Sequence, residues 1–184
     1  MTAFIRLYSG ILIDVLNPNP GDITVEDIAH ALSCQGRFSG HTKTFFPVSE
    51  HSINVCTYLK HDMERPDLAK CGLFHDGTEA YLVDMPSPVK NATEMGDKFK
   101  TIEHNIWKAI AERFSLPKQI PEEVKYADRV MLVTEMRDLM NGSDWEFESE
   151  RLGVKPWTRH ISTPTLPAMS ETAFKIHYDW LTNL

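Results

Sequence analysis

Phe99, Ile102, Ile106, Ile110 and Phe114 recur at steps of three and four residues, so a helix drawn through them carries one apolar stripe along its length. A strand cannot use that pattern, because a period of two would send its members to opposite faces. The same spacing returns along the chain. Ile28 and Leu32 share a face in a helix expected near residues 25–34, which Thr24 and Asp27 open in the manner of a capping box. His51, Val55 and Leu59 form an i, i+4 row that turns His51 inward. Leu68, Cys71, Gly72, His75, Glu79 and Leu82 form another row. Val124, Asp128, Met131, Leu132, Glu135 and Leu139 align in a helix beginning at Pro121, and that row turns Asp128 toward a largely apolar interior.

Between these rows the chain breaks where its residues demand it. Ala3 to Leu16 alternates weakly around Ser9-Gly10, which predicts a short hairpin, and Asn17-Pro18-Asn19-Pro20-Gly21 ends it. Two prolines in Val83-Asp84-Met85-Pro86-Ser87-Pro88 end the third helix in extended or turn geometry. After Asn141-Gly142-Ser143-Asp144 comes an irregular stretch with Trp145, Pro156, Trp157, Pro164 and Pro167, suited to an interface or a lid, and then a closing helix from Ser170. No repeat and no domain boundary is visible. The expected fold is all-α, a helical bundle with a small N-terminal β-hairpin, forming one domain over residues 1–184.

At 184 residues and 42% hydrophobic content the chain buries a full core without staples. Cys34, Cys56 and Cys71 lie far apart in predicted helices, without a Cys-x-x-Cys pair, so they read as small buried hydrophobes in a reducing compartment. A net charge of -7 argues against nucleic acid as a partner. No stretch approaches 18 uninterrupted apolar residues and the N-terminus shows no basic region leading an apolar core of signal-peptide length, so the expectation is no membrane partner and a cytoplasmic location.

The chemistry gathers around His75-Asp76. With 8 His and 12 Asp a His-Asp dipeptide is expected about 0.5 times by chance, so the pair alone decides nothing. Its twin, His61-Asp62, lies in a charged stretch running into Pro66 and reads as solvated surface. His75-Asp76 differs because its helical row carries it inward. His51 and Asp128, from two other helices, complete a set of two imidazoles and two carboxylates suited to one divalent cation such as Zn, Mn, Fe, Co or Ni. Taken singly, each buried His is more often a hydrogen-bonded core residue; four such residues in concert point to a metal.

Read in order, Glu50-His51-Ser52, His75-Asp76-x-x-Glu79, Asp84-Met85-Pro86-Ser87-Pro88-Val89-Lys90 and Val124-Lys125-Tyr126-Ala127-Asp128 resemble an HD-domain phosphohydrolase. The resemblance spans about residues 25–140 and is closest to the nucleotide-directed branch. That branch includes bacterial HD-domain 5'-deoxynucleotidases, prophage HD proteins and phage HD-domain dATP triphosphohydrolases. It implies one divalent transition metal, Co, Mn or Zn, held by His51, His75, Asp76 and Asp128. It further implies Glu79 handling the protons of the attacking water, Asp84 beside the sugar, and a homo-oligomer. Arg37-Phe38, fourteen residues before His51, match an Arg-aromatic pair of the related enzymes, and Lys90 and Lys125 match their basic positions.

The resemblance therefore implies phosphate contacts from Arg37, Lys90 and Lys125. Without it, Lys90 and Lys125 read as surface lysines and Arg37 as a helix-end charge. Phe38 stands where the better-known nucleotidases carry Trp, so it stacks on the sugar or packs in the core without an N–H donor. Ala80 follows Glu79, unlike the alarmone hydrolases, and one His, His104, lies between Asp76 and Asp128, which favours a single metal. P-loop and zincin motifs are absent. The leading expectation is a dNTP triphosphohydrolase, dATP first, of phage-like length. The alternatives are a 5'-deoxynucleotidase acting on dNMPs and a non-catalytic nucleotide-binding module.

Overall fold

The computed structural model describes residues 2–161 and 165–183, without the side chains of Ser87 and Pro88. The hairpin forms as the alternation predicts. Strand β1 (Phe4–Arg6) pairs antiparallel with β2 (Leu12–Asp14), Ile5 opposite Ile13, and Gly10 closes the turn at φ 89, a backbone that suits a residue without Cβ. Asp27 then fastens the turn to the first helix, its carboxylate accepting the Ser9 N–H at 2.7 Å and the Ser9 hydroxyl at 2.9 Å.

Eight helices follow among the described residues: α1 (Val25–Cys34), α2 (Val48–His61), α3 (Pro66–Phe74), α4 (Ser87–Ala92), α5 (Glu94–Phe114), α6 (Glu122–Leu139), α7 (Trp145–Leu152) and α8 (Pro167–Thr182). The fold is all-α with the small hairpin at its start. Thr24 caps α1 by accepting the Asp27 N–H at 3.1 Å, but the return half of the capping box is missing because the Asp27 carboxylate serves Ser9 and the Thr24 hydroxyl. Pro121 sits just before α6 as its cap rather than inside its first turn.

Two helices depart from expectation. Pro88 falls in the first turn of α4, where its lost N–H is harmless, so the stretch expected in extended or turn geometry becomes helical from Ser87. α7 contains no buried residue, which is why it left no apolar period to read. Cys56 and Cys71 are buried as expected, whereas Cys34, at the last turn of α1, is exposed.

α2, α3, α5 and α6 all contribute to one core cluster, with Leu59, Leu73, Ile106, Ile110 and Met131 at 0% exposure. Each such side chain contributes about 1.5–3 kcal/mol relative to exposure. The stripe on α5 is buried from Ile106 to Phe114 and half-buried at Phe99 and Ile102, where the helix borders a cleft. α8 packs on α1, α2 and α3, stacking Phe174 against Phe74 edge to face. A buried hydroxyl chain, Ser33 to Ser49 at 2.9 Å and Ser49 to Ser170 at 2.6 Å, joins α1, α2 and α8. Trp157 is buried and donates its indole N–H to Asp62, so it serves packing rather than a lid, while Pro164 lies outside the described residues.

Candidate active site

Close approach of α2 and α3 sets the first pair of candidate side chains. A methyl group at Gly72 would overlap Leu59 Cδ1 and meet the Cys56 Cα at 3.4 Å, so only glycine lets the two helices sit this near. His51 on α2 and His75 at the end of α3 then face each other, Nε2 to Nε2, at 3.2 Å. The segment from α1 to α2 folds back on itself: Arg37 N–H donates to Phe46 O at 2.8 Å, and Gly36 bridges Pro47. That return places Arg37 beside the first turn of α2. It also holds Phe38 and Ser39 at φ 52, a left-handed conformation costing about 1–3 kcal/mol per residue with a Cβ.

The third helix was expected to run through Asp76 and Glu79, and it stops earlier. His75 keeps helical dihedrals, Asp76 leaves them at φ -93 and ψ 11, and Gly77–Ala80 forms a 3-10 turn. Gly77 is the physical reason: it propagates a helix poorly, and its missing side chain lets the turn press on Ile110, 3.3 Å from where a Cβ would lie. The change of backbone brings Asp76 Oδ1 to 3.3 Å from His75 Nε2 and Asp76 Oδ2 to 3.5 Å from His51 Nε2. Asp128 on α6 adds Oδ1 at 3.2 Å from His51 Nε2 and 3.8 Å from His75 Nε2. Asp128 does not face an apolar interior; its side chain is 41% exposed because it borders the cleft.

The three shorter separations fit a shared cation, since donors about 2.1 Å from one metal lie roughly 3.0–3.4 Å from one another, and the other two, 3.5 and 3.8 Å, are wider than that range. His51, His75 and Asp76 form a group that could hold a metal ion. Proton positions argue the same way. His75 Nδ1 donates to the Gly72 carbonyl at 2.7 Å, and His51 Nδ1 donates to Glu135 Oε1 at 2.6 Å. Neutral rings fixed in this way turn two bare Nε2 lone pairs toward each other, and these need positive charge between them.

Electrostatics agree. Burial and the Arg37 charge oppose a proton on His51, yet Glu135 and Asp128 outweigh them and push its pKa up to about 10. His75 is raised likewise, Asp76 and Asp128 outweighing burial. Burial also opposes the charges of Asp128 and Glu135, but His51 and His75 hold the first well below the ordinary carboxylate range, and His51 and Arg37 hold the second down. The carboxylates thus call for a cation, which a divalent metal supplies with both imidazoles neutral.

Glu79 is 7% exposed and its carboxyl is pushed well up, first by burial and then by Asp76 and Asp84. Among the described residues its Oε2 has no hydrogen-bond partner. Burial raises Asp84 too. Gln35, which sequence reading passed over, spans both segments: its amide donates to the Glu79 carbonyl at 3.0 Å and accepts the Asp84 N–H at 3.3 Å. A polar residue at the end of α1 gives no sequence signal for that role.

A cleft of about 510 Å³ opens from His75, Asp76 and Asp128, and Lys90 and Lys125 border it. Arg37, Phe38, Glu79 and Asp84 are not part of its lining. Each cation already has a carboxylate neighbour. Lys90 pairs with Glu103 at 2.7 Å, Lys125 stands 3.7 Å from Glu122, and Arg37 binds Glu135 through Nε and Nη2. Arg37 is therefore a buried residue at 9% exposure, not a helix-end surface charge, with its guanidinium 5.4 Å from the half-buried Phe38 ring. Lys100, His104 and Lys118 extend the cleft's basic lining, a feature no motif announced.

Residues 47–144 match a family described as YfbR-like, 5'-deoxynucleotidase YfbR-like. The match takes in every proposed site residue except Arg37 and Phe38. The chain is 38% identical over 145 residues to the YfdR protein of Escherichia coli K12, itself described as uncharacterised, covering 78% of this chain and 77% of that one. It is 35% identical over 164 residues to an uncharacterised protein of Rhodobacter capsulatus, covering 84% and 81%. Among the described residues no helix is long and apolar enough to cross a membrane. The matched family comprises HD-type metal-dependent phosphohydrolases that act on nucleotides. This chain belongs to the YfbR-like 5'-deoxynucleotidase family of the HD-domain superfamily.

Proposed function

We propose that the protein is a 5'-deoxynucleotidase that converts deoxynucleoside monophosphates to deoxynucleoside and phosphate. The observation that carries this reading is the family match over 47–144 together with four metal-type donors converging where the cleft opens, His75, Asp76 and Asp128 in its lining and His51 buried behind them. His51, His75, Asp76 and Asp128 would hold one divalent cation, and their donor set suits Co, Mn or Zn alike. Such a cation, when bound, supplies a Lewis acid for a phosphate oxygen and a readily deprotonated water.

Glu79 takes the water's proton at Oε2, which has no hydrogen-bond partner among the described residues, a role that its raised proton affinity favours. Lys125 and Lys90 meet phosphate charge from the cleft, the second after exchanging Glu103 for substrate. Arg37 contributes through Nη1, the nitrogen not bonded to Glu135. Asp84 meets the sugar hydroxyl and Phe38 backs the deoxyribose face. An exposed apolar stripe on α8, Met169 at 59% and Ile176 at 60%, supports a homo-oligomer.

A second reading, hydrolysis of dNTPs with dATP first, keeps one observation in its favour: Lys100, His104 and Lys118 continue the basic lining beyond Lys90 and Lys125. Chromatography of products from dNMP and dNTP panels, each with Mn, Co or Zn, separates the two. Deoxynucleoside plus phosphate from dNMPs is the expected result. Released triphosphate would move the assignment to the second reading. Nucleotide binding without turnover under every metal would leave a binding module instead.

A further inference from the structure

Glu135 is fully buried on α6, and neither the four donors nor the proposed substrate contacts account for it. It follows Asp128 by seven residues, close to two helical turns, so both carboxylates project from one face of the helix. Its two oxygens are divided. Oε1 accepts from His51 Nδ1 at 2.6 Å, and Oε2 accepts from Arg37 Nε at 3.2 Å and Nη2 at 3.1 Å. The third guanidinium nitrogen, Nη1, stands 3.8 Å from Asp76 Oδ2. Among the described residues Asp76 is thus the other carboxylate within ion-pair reach of Arg37.

That arrangement has two consequences. An imidazole whose Nδ1–H is bound by a carboxylate keeps its Nε2 lone pair free and gains basicity toward a metal. A buried guanidinium must be matched by negative charge, because an unpaired buried ion is costly. If Glu135 were neutral, the nearest remaining match for Arg37 would be Asp76, one of the donors. We propose that Glu135 is a positioning residue whose single carboxylate fixes the His51 tautomer and, by engaging Arg37 Nε and Nη2, keeps the guanidinium from closing on Asp76 beyond the 3.8 Å approach of Nη1, leaving Asp76 available to the metal. This rests on the reading that His51, His75, Asp76 and Asp128 bind a divalent cation.

The test titrates cobalt(II) into the full-length protein, followed by visible absorption and calorimetry. Glu135→Gln weakens cobalt binding about 10–100-fold, the range for residues that orient metal ligands. Adding Arg37→Gln to Glu135→Gln restores part of that affinity, since the guanidinium that competes for Asp76 is gone; a carboxylate of merely structural value gives a double variant no better than the single. Equal cobalt affinity in wild type and Glu135→Gln, or no recovery in the double variant, overturns the proposal. Should the variants not fold, nitrogen-15 NMR of the zinc-loaded wild type decides: His51 is expected protonated at Nδ1 and metal-bound at Nε2, and the reverse pattern overturns the role. A wild-type protein that takes up no cobalt overturns the metal reading itself, an outcome distinct from equal binding by both proteins.

Discussion

The chain writes His-Asp twice, and both pairs stand at the C-terminal end of a helix: His61-Asp62 closes α2 and His75-Asp76 follows α3. Their surroundings differ in every other respect. His61 and Asp62 are exposed, and Asp62 spends one oxygen on the Trp157 indole N–H at 2.8 Å. His75 is 7% exposed, its Nδ1 is fixed by the Gly72 carbonyl, and its Nε2 meets His51 and two carboxylates. A dipeptide has no chemistry of its own. What separates the pairs is the neighbouring helix: Gly72 draws α2 against α3, whereas after Asp62 the chain turns away toward Pro66.

Substituting one histidine of each pair breaks this comparison most sharply. With His75→Ala, bound metal measured by atomic absorption falls to background, and turnover of dNMPs drops by at least roughly 10³-fold, the scale expected when a metal-activated reaction loses its ligand set. With His61→Ala both quantities stay at the wild-type level. Metal retained by His75→Ala would remove the basis for treating the pairs differently.

The Asp62 pair belongs instead to a set of carboxylates that fasten residues 154–161, and Asp138 is the most strongly bound of them. Burial opposes its charge, but Arg137, the Ile161 N–H and His160 together outweigh burial and hold its pKa at about 2 against an ordinary 3.8. A depressed carboxylate stabilises the folded state above its unfolded pKa and loses that contribution as pH falls through its folded value. The Asp138 contribution is therefore complete above about pH 4 and gone below about pH 2, and amounts to at most about 2–3 kcal/mol. Asp138→Asn is expected to lower the urea midpoint at pH 7 and to flatten the acid limb between pH 4 and 2. An unchanged limb would show that the clasp carries no stability.

Sequence periodicity reached as far as the helices that bury a stripe. The rows on α2 and α5 announced His51, Ile106 and Ile110 because a packed face must repeat, whereas the α6 row sent Asp128 to an apolar interior and the fold sets it at the cleft edge. α7 and α4 escaped notice for the converse reason: α7 buries nothing, and Pro88 suggested a break where it opens a turn. The backbone change at Asp76 was illegible as well. His75, Glu79 and Leu82 recur at four- and three-residue steps in the sequence, which reads as a continuing α-helix, and the letters alone carry no record of the 3-10 turn at Gly77–Ala80. Glu135 stood in the α6 row as one more member, yet its i+7 relation to Asp128 was a usable signal for a second carboxylate on that face. Gln35 and Lys118 had none, because their partners come together only in the folded chain.

Gly72 tests the cause rather than the consequence of the difference between the pairs. In Gly72→Ala the new methyl meets Leu59, itself fully buried, so the clash is relieved only by moving Leu59 or by parting α2 from α3. Overpacking of this size costs about 1–3 kcal/mol, read as a shift in the urea midpoint with an unchanged slope. If the helices part, His51 and His75 separate and cobalt affinity falls along with stability. A stability loss with full cobalt affinity would place the relief in Leu59 alone and show that the histidine pair tolerates a looser contact.

The smallest effect belongs to the exposed pair itself. Asp62→Ala removes the acceptor of the Trp157 N–H, and Trp157 also donates its backbone N–H to Thr134 at 2.7 Å, so the indole stays packed but loses one bond. A single hydrogen bond of this kind contributes about 0.5–1.5 kcal/mol, and a partly exposed one lies at the low end because water replaces the lost acceptor. Chemical denaturation should therefore show a loss near 0.5 kcal/mol, with cobalt binding and turnover unchanged. A metal-binding defect in Asp62→Ala would mean that the clasp on residues 154–161 reaches the histidine cluster through α6, since Thr134 adjoins Glu135 on that helix. Unchanged metal binding would instead establish that the two His-Asp pairs act independently, one in the chemistry and one in the packing.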